Sequence, residues 1–216
     1  MSKRRILKRS ALLIVTALGA LALYEGYRVS KAASVVDAKF EKILNNASLR
    51  TLDLTPEQKR ILLTVEDPKF ETHNGIDLST PGGGMTTLTQ ALTKRVFFES
   101  FKPGFAKIEQ SLIARFVVHP NVSKDDQITA FLNLAYFGRC VDQQIIGFED
   151  ASRCYLGKEF YELDDIEFIN LTARLIGPNK YNRDAEALKT RMDKIEKLLA
   201  GTCQPDGWRD VTYKTC

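Results

Sequence analysis

The sequence has no internal repeat, no low-complexity segment and no C-x-x-C pair among its four cysteines. Without that cysteine spacing it carries no zinc-site signature. Beta-branched runs bounded by turns are also scarce, and this scarcity favours an all-α fold. With 216 residues, 44% of them hydrophobic and 27% charged, the composition is that of a globular protein with one sizeable domain.

Acidic residues are absent from the first nine positions, where five lysines and arginines lie. The whole chain has 31 lysines and arginines against 27 aspartates and glutamates, so the rest of it is nearly neutral. A nucleic-acid-binding protein carries its basic patch on the folded domain. The charge pattern therefore predicts no nucleic-acid partner.

Charged residues are also missing from residues 10–24, which follow the basic tail. A membrane-spanning helix needs roughly 20 apolar residues, and snorkelling by Arg9 with interfacial positions for Tyr24 and Tyr27 would extend this segment. The cationic flank predicts a single-pass anchor in the bacterial inner membrane, with the N-terminus in the cytoplasm and the following domain in the periplasm. A cleaved signal peptide is the alternative, because the Ala-Leu-Ala at 20–22 resembles a cleavage site.

The four cysteines, Cys140, Cys154, Cys203 and Cys216, fit an oxidising compartment. The last two bracket "QPDGW", whose Pro-Asp-Gly turn can fold the tail back into a disulfide loop. For Cys140 and Cys154, a disulfide and a pair of unpaired buried thiols are both compatible with the sequence.

A helix is predicted over "TPEQKRILLTVE", residues 55–66, with Thr55 as its cap, Pro56 in the first turn and Gln58 reaching back to the cap. Glu66 then lies at the C-terminal end, where the helix dipole disfavours a negative charge. The pKa of this carboxyl should therefore be raised, which suits a proton acceptor near neutral pH.

Three successive glycines lie in "STPGGGMTT", residues 79–87. Such backbone is either a flexible linker or a close approach to a ligand. The next segment, "TTLTQALTKRVFF", has apolar residues at helical spacing and places Gln90 and Lys94 on the other face.

A further helix is predicted over "FAKIEQSLIARFVV", residues 105–118, with Glu109 partly buried at the border of its apolar stripe. Helices are also predicted from Ser123 to Tyr136 and over residues 163–178. The apolar stripe is predicted to be core and consists of Phe105, Ile108, Leu112 and Phe116.

Several motifs occur in a recognisable order. "VEDPKFETHNGID" (65–77) fits E-D-x-x-F-x-x-H-x-G, and "GMTTLTQALTK" (84–94) fits G-x-S-T-I-T-Q-Q-L-x-K. "SKDDQITAFLNLAYFG" (123–138), "GFEDASRCYLGK" (147–158) and "IGPNKYN" (176–182) follow in register. Together they resemble the peptidoglycan glycosyltransferase domain, glycosyltransferase family 51, including its monofunctional members, over about residues 55–195.

The resemblance implies a mostly helical, lysozyme-like domain beside the bilayer that polymerises lipid II. The lipid-linked glycan donor would be transferred to the 4-hydroxyl of the next disaccharide, forming a β-1,4 linkage and releasing undecaprenyl pyrophosphate. Glu66 would be the general base, and Glu109 the second catalytic carboxylate, which handles the departing pyrophosphate. These two carboxylates can flank one bond only if the helices that carry them converge.

The resemblance also implies a substrate-binding set, in which Lys94 and Gln90 contact the pyrophosphate or its sugar. A divalent cation such as Mg²⁺ is a candidate cofactor, although no ligand cluster in the sequence requires one and no metal site is predicted. The implied substrate-binding residues are Asp67, Phe70, His73, Thr87, Thr89, Gln90, Lys94, Lys107 and Asn133.

The sequence departs from the family pattern at several positions. The third motif lacks its Arg-Lys pair and offers only Lys107, and Ala91 replaces a glutamine of the second motif. The segment between the first two motifs is short and lacks the arginine of typical members. A non-catalytic binder of lipid II or glycan strands is therefore an alternative. A glycan-cleaving lytic transglycosylase is a third hypothesis, against which Lys94 and the anchor count.

The predicted organisation has four parts: a basic tail and membrane anchor (1–28), a stalk or first helix (29–50), the glycosyltransferase domain (51–200) and a Cys-flanked tail (201–216). No transpeptidase domain is visible, so the proteins that cross-link the glycan are expected to be separate partners.

Overall fold

The structure is a computed structural model that describes the backbone of residues 3–216 and the side chains from Ser10 onward. It is mostly helical, as predicted, with one small antiparallel hairpin. The helices are α1 (Lys3–Ala33), α2 (Val36–Asn45), α3 (Pro56–Glu66), α4 (Leu88–Phe97), α5 (Phe105–Ile113), α6 (His119–Asn121), α7 (Lys124–Leu134), α8 (Phe148–Leu156), α9 (Asp165–Arg174), α10 (Pro178–Tyr181) and α11 (Ala185–Leu199). A π-helical turn, Ala114–Val118, joins α5 to α6, and the hairpin consists of β1 (Tyr136–Cys140) and β2 (Gln143–Ile146).

Helix α3 begins and ends where local sequence signals place it. The Thr55 hydroxyl accepts a hydrogen bond from the Gln58 amide at 3.1 Å, and the Gln58 side chain accepts one from the Thr55 amide at 3.0 Å. This reciprocal capping satisfies two backbone donors that a helix start leaves free. The predicted cap and the predicted end at Glu66 are both confirmed.

Helix α1 has 31 residues, and its segment Ser10–Ala33 is long and apolar enough to cross a membrane. The apolar side chains in its first half are largely exposed, whereas Ala32 near its end is buried. Val36 and Phe40 of α2 are also buried. The segment predicted as a stalk or first helix is thus helical and packs against the core.

The centre of the core is an aromatic cluster between α8, α9 and the hairpin. Phe148 packs edge-on against Phe137, with ring centroids 4.9 Å apart, and stacks on Phe168 at 5.5 Å. All three are fully buried. Burial of each such side chain contributes roughly 1.5–3 kcal/mol, so this cluster stabilises the packing of α8, α9 and the hairpin.

The prediction that the stripe of Phe105, Ile108, Leu112 and Phe116 is core is wrong, because three of these residues are exposed and Leu112 is only half-buried. Phe105 is 71% exposed, Ile108 46% and Phe116 61%. Ile108 and Phe116 instead line a shallow apolar groove with Leu18 and Leu21 of α1. Helical spacing shows that a helix has an apolar face, but not whether protein covers that face.

Helix α7 was predicted to reach Tyr136 and ends at Leu134, because Ala135 has an extended backbone. The hairpin that follows was not predicted, and its β1 strand contains Gly138 at φ +87°. A Cβ on that glycine would lie 2.7 Å from the Asn182 side chain. The strands are short and rich in polar residues, so they lack the pattern by which strands are normally recognised.

Both possible disulfides are present in the structure. Cys203 pairs with Cys216 at a Cα–Cα distance of 5.5 Å, which confirms the predicted loop. Cys140 pairs with Cys154 at 6.5 Å and ties the hairpin to α8, so the alternative of unpaired thiols is not what the structure shows. Both distances lie in the usual range for disulfides.

Candidate active site

Glu66, the last residue of α3, lies where two cavities meet. The first has a volume of about 280 Å³ and is walled by α4, α7 and the start of β1. The second, of about 350 Å³, is walled by the glycine triplet and by α11. Both are lined by Glu66, Lys94 and Leu175, so they are two arms of one cleft that share these three residues.

The surroundings of Glu66 make it a proton acceptor near neutral pH. Burial raises the pKa of Glu66 to about 7, with the positive charge of Arg191 lowering it and the negative charge of Asp67 raising it. The direction matches the prediction from the helix end, but burial is the largest cause. A carboxyl with such a pKa can hold or release a proton at neutral pH, as general acid–base catalysis requires.

Asp67 and His73 form a buried network behind Glu66. The Nε2 atom of His73 lies 2.9 Å from Asp67 Oδ2, and the Leu88 amide donates to the same oxygen at 2.8 Å. The Nδ1 atom of His73 accepts a hydrogen bond from the Gly75 amide, so the ring proton lies on Nε2 and is donated to Asp67. This network ties the end of α3 to the start of α4, which carries Lys94.

We expect Asp67→Ala to lower the free energy of unfolding by about 2–4 kcal/mol, because it leaves the Leu88 amide and His73 Nε2 buried without acceptors. Urea denaturation followed by circular dichroism measures this change. Glu71→Ala is the matched control, since Glu71 is exposed and forms a surface ion pair with Lys59 at 3.2 Å, worth less than about 1 kcal/mol. An equal, small loss in both variants would contradict the assigned role of Asp67.

Most of the other predicted substrate-binding side chains do not line the cleft. Phe70 is buried, with the Lys124 ammonium 4.1 Å from its ring centroid. Gln90 is 1% exposed, accepts from the Thr87 amide and donates to Ser111, so both polar atoms of its side chain have partners within the protein. Thr87 caps α4 and donates to the Gly75 carbonyl, and Thr89 donates to Gln127. These four side chains shape the protein behind the cleft.

Asn133 also lies away from the cleft. Its side-chain oxygen accepts from the Ser48 and Leu49 amides, and its Nδ2 donates to the Leu49 and Thr129 carbonyls. The residue holds the chain that follows α2 against α7. Asn133 therefore has a structural role here.

Lys94 and Lys107 are the two predicted substrate-binding cations, and they lie near each other. Burial and the positive charge of Lys94 lower the pKa of Lys107 to about 8. The Lys107 ammonium donates to the Thr86 hydroxyl at 2.8 Å, and Thr86 lines the cleft. Neither lysine has a carboxylate within ion-pair distance among the side chains described from Ser10 onward. Cations that lack an acidic partner indicate an anionic ligand.

Glu109 is not brought to this cleft. Its carboxylate pairs with the Arg28 guanidinium of α1, with Oε1 2.7 Å from Nη2, and it is only 8% exposed. It lines a separate cavity between α1, α2 and the end of α4, which neither Glu66 nor Lys94 lines. The helices that carry the two glutamates thus do not converge on one cavity. A role for Glu109 beside Glu66 stays a prediction without support from this geometry.

The residues that the structure describes do not fit a divalent-cation site. Among the described residues, no group of three or more His, Cys, Asp or Glu side chains could hold a metal ion. Asp67, the nearest carboxylate to Glu66 in sequence, is committed to His73 and the Leu88 amide.

Two cleft residues were not predicted from the sequence. Arg95 lines the first cavity, and its guanidinium lies 5.2 Å from the Tyr136 ring centroid. Arg191, on α11, lines the second cavity and acts on Glu66 by its charge. Arg95 could have been noticed as the neighbour of Lys94. Arg191 is remote from every motif in the sequence and gave no local signal.

The helical fold carries a cleft in which a proton-accepting carboxyl lies with cations that form no ion pair among the side chains described from Ser10 onward. Such a combination suits group transfer. A family model described as transglycosylase matches residues 79–200. This match covers more than half of the 216 residues, so the chain belongs to the transglycosylase family, and the predicted family is confirmed.

Several curated proteins are similar to this chain. Penicillin-binding protein 1B of Vibrio cholerae is 32% identical over 153 residues, which cover 64% of this chain and 20% of that protein. Penicillin-binding protein 1B of Escherichia coli is 29% identical over 153 residues, covering 64% and 18%. Penicillin-binding protein 1F of Bacillus subtilis is 28% identical over 169 residues, covering 70% and 23%. The chain thus spans about a fifth of the length of these relatives.

Proposed function

We propose that this protein is a membrane-anchored peptidoglycan glycosyltransferase that polymerises lipid II into β-1,4-linked glycan strands. The observation that carries the proposal is a cleft with two arms, each lined by Lys94 and by Glu66, whose pKa is raised to about 7 by burial. A polymerase must hold a growing donor and an incoming acceptor at once. Two cavities that meet at one carboxyl suit that requirement.

In the proposed reaction, Glu66 removes the proton from the acceptor 4-hydroxyl as its oxygen attacks the anomeric carbon of the donor. The bond between that carbon and the diphosphate oxygen breaks, and the electron pair leaves with the undecaprenyl pyrophosphate. Negative charge grows on the leaving group, where Lys94 and Lys107 stabilise it. Arg95 supplies a further positive charge in the first cavity. The proton stays on Glu66 until solvent removes it.

The apolar surfaces support a location at a membrane. Helix α1 is long and apolar enough to span a bilayer. Exposed Ile108 of α5 and Phe116 of the π-helical turn line a groove with Leu18 and Leu21 of α1. A substrate with a polyprenyl tail would be presented at that surface. We place α1 in the inner membrane and the domain in the periplasm, where the two disulfides would persist. Cross-linking of the product would fall to separate transpeptidases.

The decisive experiment incubates the full-length protein in detergent with fluorescent lipid II, separates the products by gel electrophoresis and measures lipid II binding in parallel. The proposal expects glycan chains that disappear when lysozyme is added. Binding without polymer, in several detergents and with or without Mg²⁺, would favour the non-catalytic binder. Absence of both binding and polymer would overturn the proposal.

The pH dependence of the reaction follows from the pKa of Glu66. A general base acts in its ionised form, and the Glu66 carboxyl ionises as pH rises through about 7. We therefore expect the polymerisation rate to rise about fivefold between pH 6 and 7 and to level off towards pH 8, as the ionised fraction of Glu66 approaches one. Initial rates at constant ionic strength measure this limb. A rate that is flat from pH 5.5 to 7.5 would exclude Glu66 as the titrating base.

A further inference from the structure

The segment Cys203–Cys216, here called the C-terminal loop, lies outside the residues matched by the family model and is fastened along α11. Three basic side chains on one face of α11 donate hydrogen bonds to carbonyl groups of the C-terminal loop. Arg191 donates to Val211 at 2.8 Å, Lys194 to Tyr213 at 2.7 Å and Lys197 to Cys216 at 3.1 Å. The disulfide closes the loop at its two ends.

The C-terminal loop also holds the glycine triplet. The Gly82 amide donates to the Gly207 carbonyl at 3.0 Å, and the Gly84 amide donates to the Trp208 carbonyl at 2.7 Å. Both glycines have positive φ, and a Cβ on Gly84 would lie 2.7 Å from Val211 Cγ1. The glycines therefore permit close approach of the chain's own C-terminal loop, rather than forming a flexible linker.

Tyr213 connects the C-terminal loop to the backbone next to Glu66. It is 1% exposed, and its hydroxyl donates to the carbonyl of Val65, the residue before Glu66, at 3.2 Å. The Arg191 guanidinium lies 4.2 Å from the centroid of the Tyr213 ring. The loop is thus in contact with the backbone that positions the proposed base, with the glycine wall and with Arg191.

Arg191 is a buried cation whose charge acts on Glu66 but which forms no ion pair with the carboxylates described from Ser10 onward. Its side chain lines the cavity that also contains Glu66, Lys94 and Thr86, although the residue is only 3% exposed. Its Nε atom has no hydrogen-bond partner, and none of the carboxylates described from Ser10 onward lies within ion-pair distance of its guanidinium. A buried charge in this state is costly, and an anion bound in the cavity would offset the cost.

We propose that the C-terminal loop forms a wall of the catalytic cleft and holds Arg191 as a further cation for the diphosphate group of the substrate. This inference rests on the proposed function and names one more group that acts on the same leaving group. It also accounts for two departures from the family pattern. The shortened segment between the first two motifs is supported by the loop, and the missing arginine charge is supplied from α11.

The first arm of the test separates charge from structure at Arg191. Arg191→Gln removes the charge but keeps a donor for the Val211 carbonyl, whereas Arg191→Lys keeps the charge. We expect Arg191→Gln to lower the rate of lipid II polymerisation about 10²-fold and to weaken binding of inorganic pyrophosphate to the full-length protein about tenfold. Arg191→Lys should recover most of both. Unchanged pyrophosphate binding and rate in a folded Arg191→Gln protein would overturn the proposal.

The second arm tests the loop without altering Arg191. Cys203→Ser/Cys216→Ser opens the loop, and Cys140→Ser/Cys154→Ser is the matched control because neither of those cysteines lines the cleft. We expect faster hydrogen exchange at the Gly82 and Gly84 amides and a lower polymerisation rate in the first variant alone. Equal exchange and equal rates in the two variants would contradict a role for the loop.

These readouts also distinguish the two proposals. If the wild-type protein makes no polymer, the proposed function fails, while pyrophosphate binding and amide exchange still decide whether Arg191 and the loop form an anion-binding wall. If polymer forms but none of these variants changes the rate, the function stands and the inference fails.

Discussion

Glu66→Gln is expected to reduce lipid II polymerisation by about 10²–10⁴-fold, the usual contribution of a general base, while lipid II binding is retained. Glutamine has nearly the same shape as glutamate but cannot accept the proton of the acceptor hydroxyl. The measurement is the initial rate of glycan formation under conditions in which wild type and variant bind equal amounts of lipid II.

The matched control is Glu71→Gln, which changes the same residue type in the same motif. Glu71 is exposed and pairs with Lys59 at the surface, so its loss should leave the rate within about twofold of wild type, as expected for a weak surface ion pair. Polymer formation by Glu66→Gln at the wild-type rate would remove Glu66 from the mechanism.

The stability of Glu66→Gln shows whether its activity is lost through unfolding. Because the pKa of Glu66 is raised to about 7 in the folded protein, this group makes the wild type progressively less stable as pH rises from about 4.5 to about 7. Glutamine carries no charge, so Glu66→Gln should be more stable than wild type at pH 8, by up to roughly 3 kcal/mol. An inactive but more stable variant would show that activity was lost through chemistry and not through unfolding.

Local signals in the sequence predicted the proposed base and its helix. Thr55, Pro56 and Gln58 are a capping pattern whose physics is confined to one helical turn, and the structure follows it. The raised pKa of Glu66 was predicted in direction, but its main cause, burial, depends on how remote segments pack. Such causes become visible only once the chain is folded.

The placement of Glu109 could not be predicted, because it depends on how α1 docks on α5. Its partner Arg28 lies 81 residues away, in a segment interpreted at first as anchor and stalk. The exposure of the apolar face of α5 could not be predicted for the same reason. A periodic pattern shows that a helix has an apolar side but not which element, if any, packs against it. Pairwise docking of helices is long-range information that spacing along the chain does not contain.

Lys94→Met is expected to lower the polymerisation rate by about 10²–10³-fold, the usual cost of removing one group that stabilises developing negative charge. Lys94 lines both arms of the cleft with Glu66, and burial lowers the pKa of its ammonium group, with the charge of Arg95 adding to the effect. Methionine keeps much of the side-chain volume and removes only the charge. Lys102→Met, at an exposed position, is the control and should retain nearly full activity.

A second, independent prediction for Lys94→Met concerns the pKa of Lys107. Burial and the charge of Lys94 lower the pKa of Lys107 to about 8, so the wild-type rate should fall as pH rises above about 8 and Lys107 loses its positive charge. Without Lys94 the pKa of Lys107 rises, and the alkaline limb of the residual activity should move to higher pH. Lys102→Met should leave that limb in place. A limb that stays fixed in Lys94→Met would mean that the two ammonium groups do not act on the same leaving group.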